Sequence, residues 1–149
     1  KGQKGKRKKM YEYTCKVERV VDGDTVDVIL DLGFDVSYSC RVRLYGIDTP
    51  ESRTRNKDEK ARGKMAGSFL KDSIEKGSKV IIQTKLKDSK GKYGRVLGEI
   101  LVDGKNINKL MIKKHLAVAY YGQSKNDVEA EHLVNRKILI DKGLFTPVD

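Results

Sequence analysis

The chain holds only two cysteines in 149 residues, too few for a disulfide-built scaffold. Cys15 and Cys40 fall in different predicted strands, and neither has a Cys or His at metal-ligand spacing. A zinc site is therefore not expected, and free, partly buried thiols are. Long apolar runs are also missing. The longest, 116–121, falls far short of the about 20 residues a membrane span needs, so no membrane partner is expected. There is no GxSxG, no GxxxxGK[ST] and no HExxH, which leaves the corresponding hydrolase, nucleotide-binding and metalloprotease chemistries without support. The two histidines, His115 and His132, lie on predicted helices without a nucleophile partner and read as structural residues.

Charge is abundant. Charged residues make up 36% of the chain, against roughly 25% in typical soluble domains. Lys and Arg number 32 and Asp and Glu 21, for a net charge of +11. Such an excess favours polyanionic partners. It is unevenly spread: Lys1, Lys4, Lys6, Arg7, Lys8 and Lys9 are basic, and without them the balance is 26 to 21. Residues 1–12 are thus read as a basic tail, either a phosphate-binding arm or a solvated leader, and 13–149 as one domain. The chain opens on Lys rather than Met, so an upstream segment is expected, and a removed leader would leave no trace.

Periodicity predicts strands at 13–21, 25–32, 41–47, 79–84 and 95–102. In the second, Val26, Val28, Leu30 and Leu32 share one face. Helices are predicted at 58–76, at 106–116 and from about 128 to 142. The first carries Ala61, Met65, Phe69, Leu70 and Ile74 and ends at Gly77; Gly63 and Gly67 within it suggest close packing. The third shows Asn126 with Glu129 as a capping box, a Leu133, Val134 and Ile138 stripe, and Gly143 as its stop. The fold class expected is α+β: a five-stranded barrel of the oligonucleotide-binding type with three helices.

If 25–32 and 41–47 are consecutive antiparallel strands turning near 36 and 37, Asp24 and Asp48 meet at one end of the sheet. Carboxylates held together repel unless a cation sits between them, and oxygen donors suit Ca²⁺ or Mg²⁺. Asp beside Gly or Pro also serves turns. Glu51 follows within Asp48-Thr49-Pro50-Glu51, where Pro50 stiffens the segment and a carboxylate near an ion can take a proton from attacking water. Arg43 and Arg95 are candidate phosphate ligands, because the guanidinium fork matches phosphate oxygens. Simple alternation places Arg43 on the face opposite Asp48, unless the chain bends near Gly46.

Three segments, Val21-Asp22-Gly23-Asp24-Thr25, Arg41 to Glu51 with its Asp-Thr-Pro-Glu end, and Lys92-Tyr93-Gly94-Arg95, occur in this order. Together they resemble the staphylococcal nuclease, or thermonuclease, family over about 13–145. The resemblance implies an oligonucleotide-binding barrel and a Ca²⁺-dependent phosphodiesterase. Such an enzyme would act as a monomer on DNA and RNA, single-stranded or locally unpaired, and leave 3′-phosphates. It implies Asp24, Asp48 and the Thr49 carbonyl as metal ligands, with Asp22 as a nearby carboxylate. Glu51 would orient or activate water, Arg43 and Arg95 would hold the scissile phosphate, and Lys92 and Tyr93 the neighbouring one. Where the family has two tyrosines one residue apart, this chain has adjacent Tyr120 and Tyr121, and Tyr120 is the residue expected to stack on a base. The alternative is a binding module that has lost catalysis. Such modules lose one or more of the three carboxylates or two arginines, and this chain keeps all five.

Overall fold

The computed structural model describes residues 11–77, 79–85 and 96–149. Five strands form a closed barrel: β1 (Glu12–Asp22), β2 (Thr25–Asp31), β3 (Ser37–Leu44), β5 (Val80–Thr84) and β6 (Val96–Val102). The order β3-β2-β1-β5-β6 closes through a parallel β3–β6 pairing, all other neighbours being antiparallel. Two register shifts in β1, between Val17 and Arg19 and between Val20 and Asp22, supply the extra twist that curls a sheet. Closure is tight at Gly98, where a Cβ would stand 3.0 Å from both the Gln83 carbonyl oxygen and Ile82 Cγ2. The expected α+β barrel is thus present. Short strands missed by periodicity add β4 (Ile47–Asp48), β7 (Lys105–Asn106) and β8 (Val118–Ala119). Two-residue segments are too brief to show alternation.

The inward faces are as the alternation required. Val26, Val28, Val42, Leu44, Ile82 and Ile100 have no exposed surface, and each such burial stabilises by about 1.5–3 kcal/mol. Leu32 departs from the expected face: β2 ends at Asp31, and Leu32 is exposed in the turn. The hairpin register also departs. Asp31 pairs with Ser37, so the turn centres on Phe34 rather than 36 and 37. Leu44 N–H then donates to the Asp24 carbonyl at 2.8 Å, which places Leu44, not Asp48, opposite Asp24.

Three helices flank the barrel. α1 (Lys57–Lys76) is capped by Asn56, whose side chain accepts from Glu59 N–H. Its buried face is Arg62, Gly63, Ala66 and Leu70. Of the expected stripe only Leu70 is fully buried; Phe69 and Ile74 pack partly buried against the core. Gly77 ends α1 with φ −83°, so a left-handed cap is not its reason; a Cβ there would collide with Val102 Cγ1. α2 (Ile107–Lys113) buries Ile107 and Met111. α3 (Lys125–Asp141) starts earlier than expected because Ser124, not Asn126, accepts from Asp127 N–H. Its expected apolar stripe is displaced: Leu133 and Val134 are exposed, while His132 and Leu139 face inward. Gly143 does end it, with φ +71° and Leu144 N–H returning to the Leu139 carbonyl.

Asp58 joins α1 to α3. It accepts from Arg62 Nε at 3.0 Å, from Arg136 Nε and Nη2 at 3.0 and 3.1 Å, and from Val148 N–H at 3.2 Å. Burial works to raise its pKa, but the bonds from Arg136, Val148 N–H and Arg62 prevail and lower it to about 2. A carboxyl more acidic in the folded chain than the ordinary 3.8 contributes stability above that value and loses it as pH falls through about 2. Asp58→Asn should therefore melt at a lower temperature at neutral pH, and its deficit relative to the parent should shrink between pH 4 and pH 2. Thermal melts across that range check this.

Candidate active site

The site lies where β3 gives way to β4. After Leu44 the chain turns at Tyr45 and Gly46, with Gly46 at φ +79°, a region that glycine enters without strain. β4 then leaves the barrel and pairs with β8, Asp48 opposite Val118. Buried Asn108 fixes this corner, donating to the Tyr45 carbonyl at 2.8 Å and accepting from Ile100 N–H at 3.1 Å. The bend resolves the facing of Arg43. Its Nη1 donates to the Leu44 and Ile47 carbonyls at 2.9 and 3.0 Å, and the guanidinium lies between Asp24 and Asp48. Nη1 is 3.5 Å from Asp24 Oδ2 and Nη2 is 3.6 Å from Asp48 Oδ1. Two carboxylates, Asp24 from the β1–β2 turn and Asp48 from β4, thus share one cation. Among the described residues, neither Nε nor Nη2 of Arg43 donates a hydrogen bond to the protein.

The segment after Asp48 is packed onto this corner. Buried Thr49 directs its N–H at Asp24 Oδ2, 3.4 Å away. Ser52 Oγ donates to Asp22 Oδ1, and Glu51 N–H donates to Glu59 Oε2 at 3.2 Å. Two glycines permit the approach. A Cβ on Gly63 would stand 2.7 Å from the backbone of Pro50 and Glu51, and one on Gly23 would stand 2.7 Å from Ala66 Cβ. Gly67 has no such contact, its nearest neighbour being Gly23 N at 3.9 Å, so the close-packing expectation holds for Gly63 alone. Gly63→Ala must displace 50–51. A lower melting temperature, with the barrel intact by circular dichroism, is the expected result.

Partial burial, then the charges of Asp24, Asp22, Asp48 and Glu59, push the Glu51 carboxyl above its usual range. Among the described residues Arg43 is the one lysine or arginine paired with Asp24 or Asp48, so the acids of this corner outnumber its paired cation. The available side-chain donors are oxygen atoms, the chemistry that suits a hard divalent ion. Among the described residues no group of three His, Cys, Asp or Glu side chains is placed to hold a metal ion.

Sequence reasoning missed a role for His132. It is buried on α3, and its Nε2 lies 2.8 Å from Asp48 Oδ2. A carboxylate only accepts, so Nε2 carries the hydrogen. The pairing spans 84 positions and leaves no local pattern. His132, Asp48, Arg43, Glu51 and Tyr120 line one cleft of about 1010 Å³. Tyr120 and Tyr121 both line it, half-exposed and exposed, with Tyr120 N–H anchored on the Gly46 carbonyl at 2.8 Å. Lys92, Tyr93 and Arg95, like the basic residues 1–9, lie outside the described residues. Cys15 and Cys40 are free and partly buried, and burial pushes the Cys15 thiol up to about 11.

Fold and corner define an oligonucleotide-binding-type barrel carrying an acidic, arginine-centred cleft. The sequence model of the family described as "Staphylococcal nuclease homologue" matches residues 41–138. Endonuclease YncB of Bacillus subtilis (strain 168) is 34% identical over 115 residues, covering 76% of this chain and 51% of that protein. The SPbeta prophage-derived endonuclease YokF of the same strain is 35% identical over 105 residues, covering 70% and 33%. Endonuclease YhcR, also of that strain, is 31% identical over 116 residues, covering 74% and 9%. The chain belongs to the staphylococcal nuclease family. It spans about half the length of YncB and less of the other two.

Proposed function

We propose that the protein is a metal-dependent nuclease that hydrolyses phosphodiester bonds of DNA and RNA and leaves 3′-phosphates. One observation carries this reading: Asp24 from the β1–β2 turn and Asp48 from β4 converge on Arg43, with Glu51 and two tyrosines lining the same cleft. Asp24, Asp48 and the Thr49 carbonyl would hold Ca²⁺, and Asp22 would steady the segment through Ser52. The ion supplies polarisation of a phosphodiester oxygen. Glu51 would orient water and take its proton as the new phosphorus–oxygen bond forms, while the bond to the 5′-oxygen breaks in line and that oxygen takes a proton from solvent water. Arg43, braced by two carbonyls, meets the charge that grows on the phosphate oxygens, and Arg95 is the second guanidinium in this reading. Lys92 and Tyr93 hold the adjacent phosphate, and Tyr120 stacks on a base, which favours single-stranded or unpaired substrate.

Incubating the purified chain with single-stranded DNA in Ca²⁺, Mg²⁺ or chelator tests the reading. Cleavage with Ca²⁺ and none with chelator is expected; no cleavage under any condition, with DNA still bound, would leave the binding module. His132 provides a narrower check, since it holds Asp48. His132→Ala should need about tenfold more Ca²⁺ for half-maximal rate, and His132→Gln, which keeps an N–H donor, should recover part of that.

A further inference from the structure

Arg62 is buried on α1, its side chain 8% exposed. Among the described residues no other lysine or arginine is buried. Its Nε donates to Asp58 Oδ1 at 3.0 Å. Asp58 also accepts from Arg136 and Val148. Nη1 and Nη2 of Arg62 find no protein acceptor among the described residues. A guanidinium cannot shed its charge in a protein, and buried donors left unmet cost free energy. Arg62 lines the same cleft as Arg43 and Glu51. One carboxylate faces two guanidinium groups here, so the Arg136–Asp58–Arg62 cluster carries one positive charge in excess, and of its three members Arg62 is the one that lines the cleft. Glu59 and Glu129 line the cleft as well, and Glu59 is engaged by Glu51 N–H.

We infer that Arg62 forms a second phosphate site. Its Nη edge takes a phosphate of the bound strand other than the one cleaved. Arg62 stands on α1, whereas Arg43 stands on β3, so the two serve different walls of the cleft. The identity of the ligand as a nucleic-acid strand rests on the nuclease reading; the anion site itself does not. A site of this kind makes longer strands better substrates than a single phosphodiester.

The test is binding of a fluorescent dT12 oligonucleotide in chelator at several salt concentrations, followed by turnover with Ca²⁺ on dT12 and on the dinucleotide TpT. In Arg62→Gln the slope of log K against log[salt] should fall by about 0.7, the value for one phosphate contact on a single strand. KM for dT12 should rise about tenfold with kcat and TpT turnover unchanged. Arg136→Gln, which removes the other guanidinium on Asp58, should melt lower while keeping the parent slope. An unchanged slope in Arg62→Gln, an equal slope loss in Arg136→Gln, or equal losses on dT12 and TpT would overturn the site. Should Arg62→Gln fail to fold, Arg62→Lys decides: at least threefold weaker dT12 binding supports it, and parent-like binding overturns it. If the parent binds with the expected slope but cleaves nothing, the nuclease reading falls and the anion site stands.

Discussion

Glu51→Gln is expected to fold like the parent and to lose about 10²–10⁴ of its turnover, the range that positioned acid–base groups contribute. The substitution keeps shape and hydrogen-bonding capacity but removes the negative charge that, in the proposed mechanism, orients water and receives its proton. The fold should not notice: the one protein hydrogen bond at this residue is from its backbone N–H to Glu59, and the side chain makes none among the described residues. Removing one negative charge from a corner crowded with Asp22, Asp24, Asp48 and Glu59 should leave thermal stability equal or slightly higher. Single-turnover cleavage of a labelled oligonucleotide, read beside a thermal melt, separates the two effects. Equal rates for mutant and parent would remove Glu51 from the mechanism.

Arg43→Lys is expected to cost about 10²–10³ in kcat, as for loss of a pre-organised donor to transition-state charge. Charge is conserved in this change; geometry is not. The planar fork lets Nη1 bond two carbonyls while Nη2 stays directed toward Asp48. An ammonium is a compact point charge on a flexible stem. It can satisfy the carbonyls or approach the carboxylates, but it cannot brace itself on one side and offer a paired edge to phosphate on the other. Because the carboxylate pair keeps a nearby cation, stability should change little. A lysine variant with parent-like kcat would show that charge alone suffices and that the fork has no role.

The barrel was legible because its signal is local. Val26, Val28 and Leu30 alternate on one strand, and a strand half-buried in a core has little choice of face. The helices were legible for the same reason, though their inward faces were not. On α3 apolar character marks Leu133 and Val134, yet the buried turn carries His132, with Arg136 and Leu139 following along the helix. Polar partners on distant elements, Asp48 and Asp58, meet that face. A periodicity count values oil and ignores a hydrogen-bonded pair 78 or 84 positions away.

By itself the chain determined the five barrel strands and the three helices, the net positive charge and the acidic and basic residue types at the cleft, because each depends on composition or on neighbours within a few positions. Only the tertiary structure decided how Asp48 reaches Asp24. The turn came earlier than expected, β3 stopped at Leu44, and a left-handed Gly46 sent Asp48 out to pair with β8 and meet His132. It also decided that Gly63 must lack a side chain and that Arg62 faces the cleft. Such facts arise from contacts between elements far apart in sequence, where backbone direction and side-chain reach, rather than pattern, set what meets what.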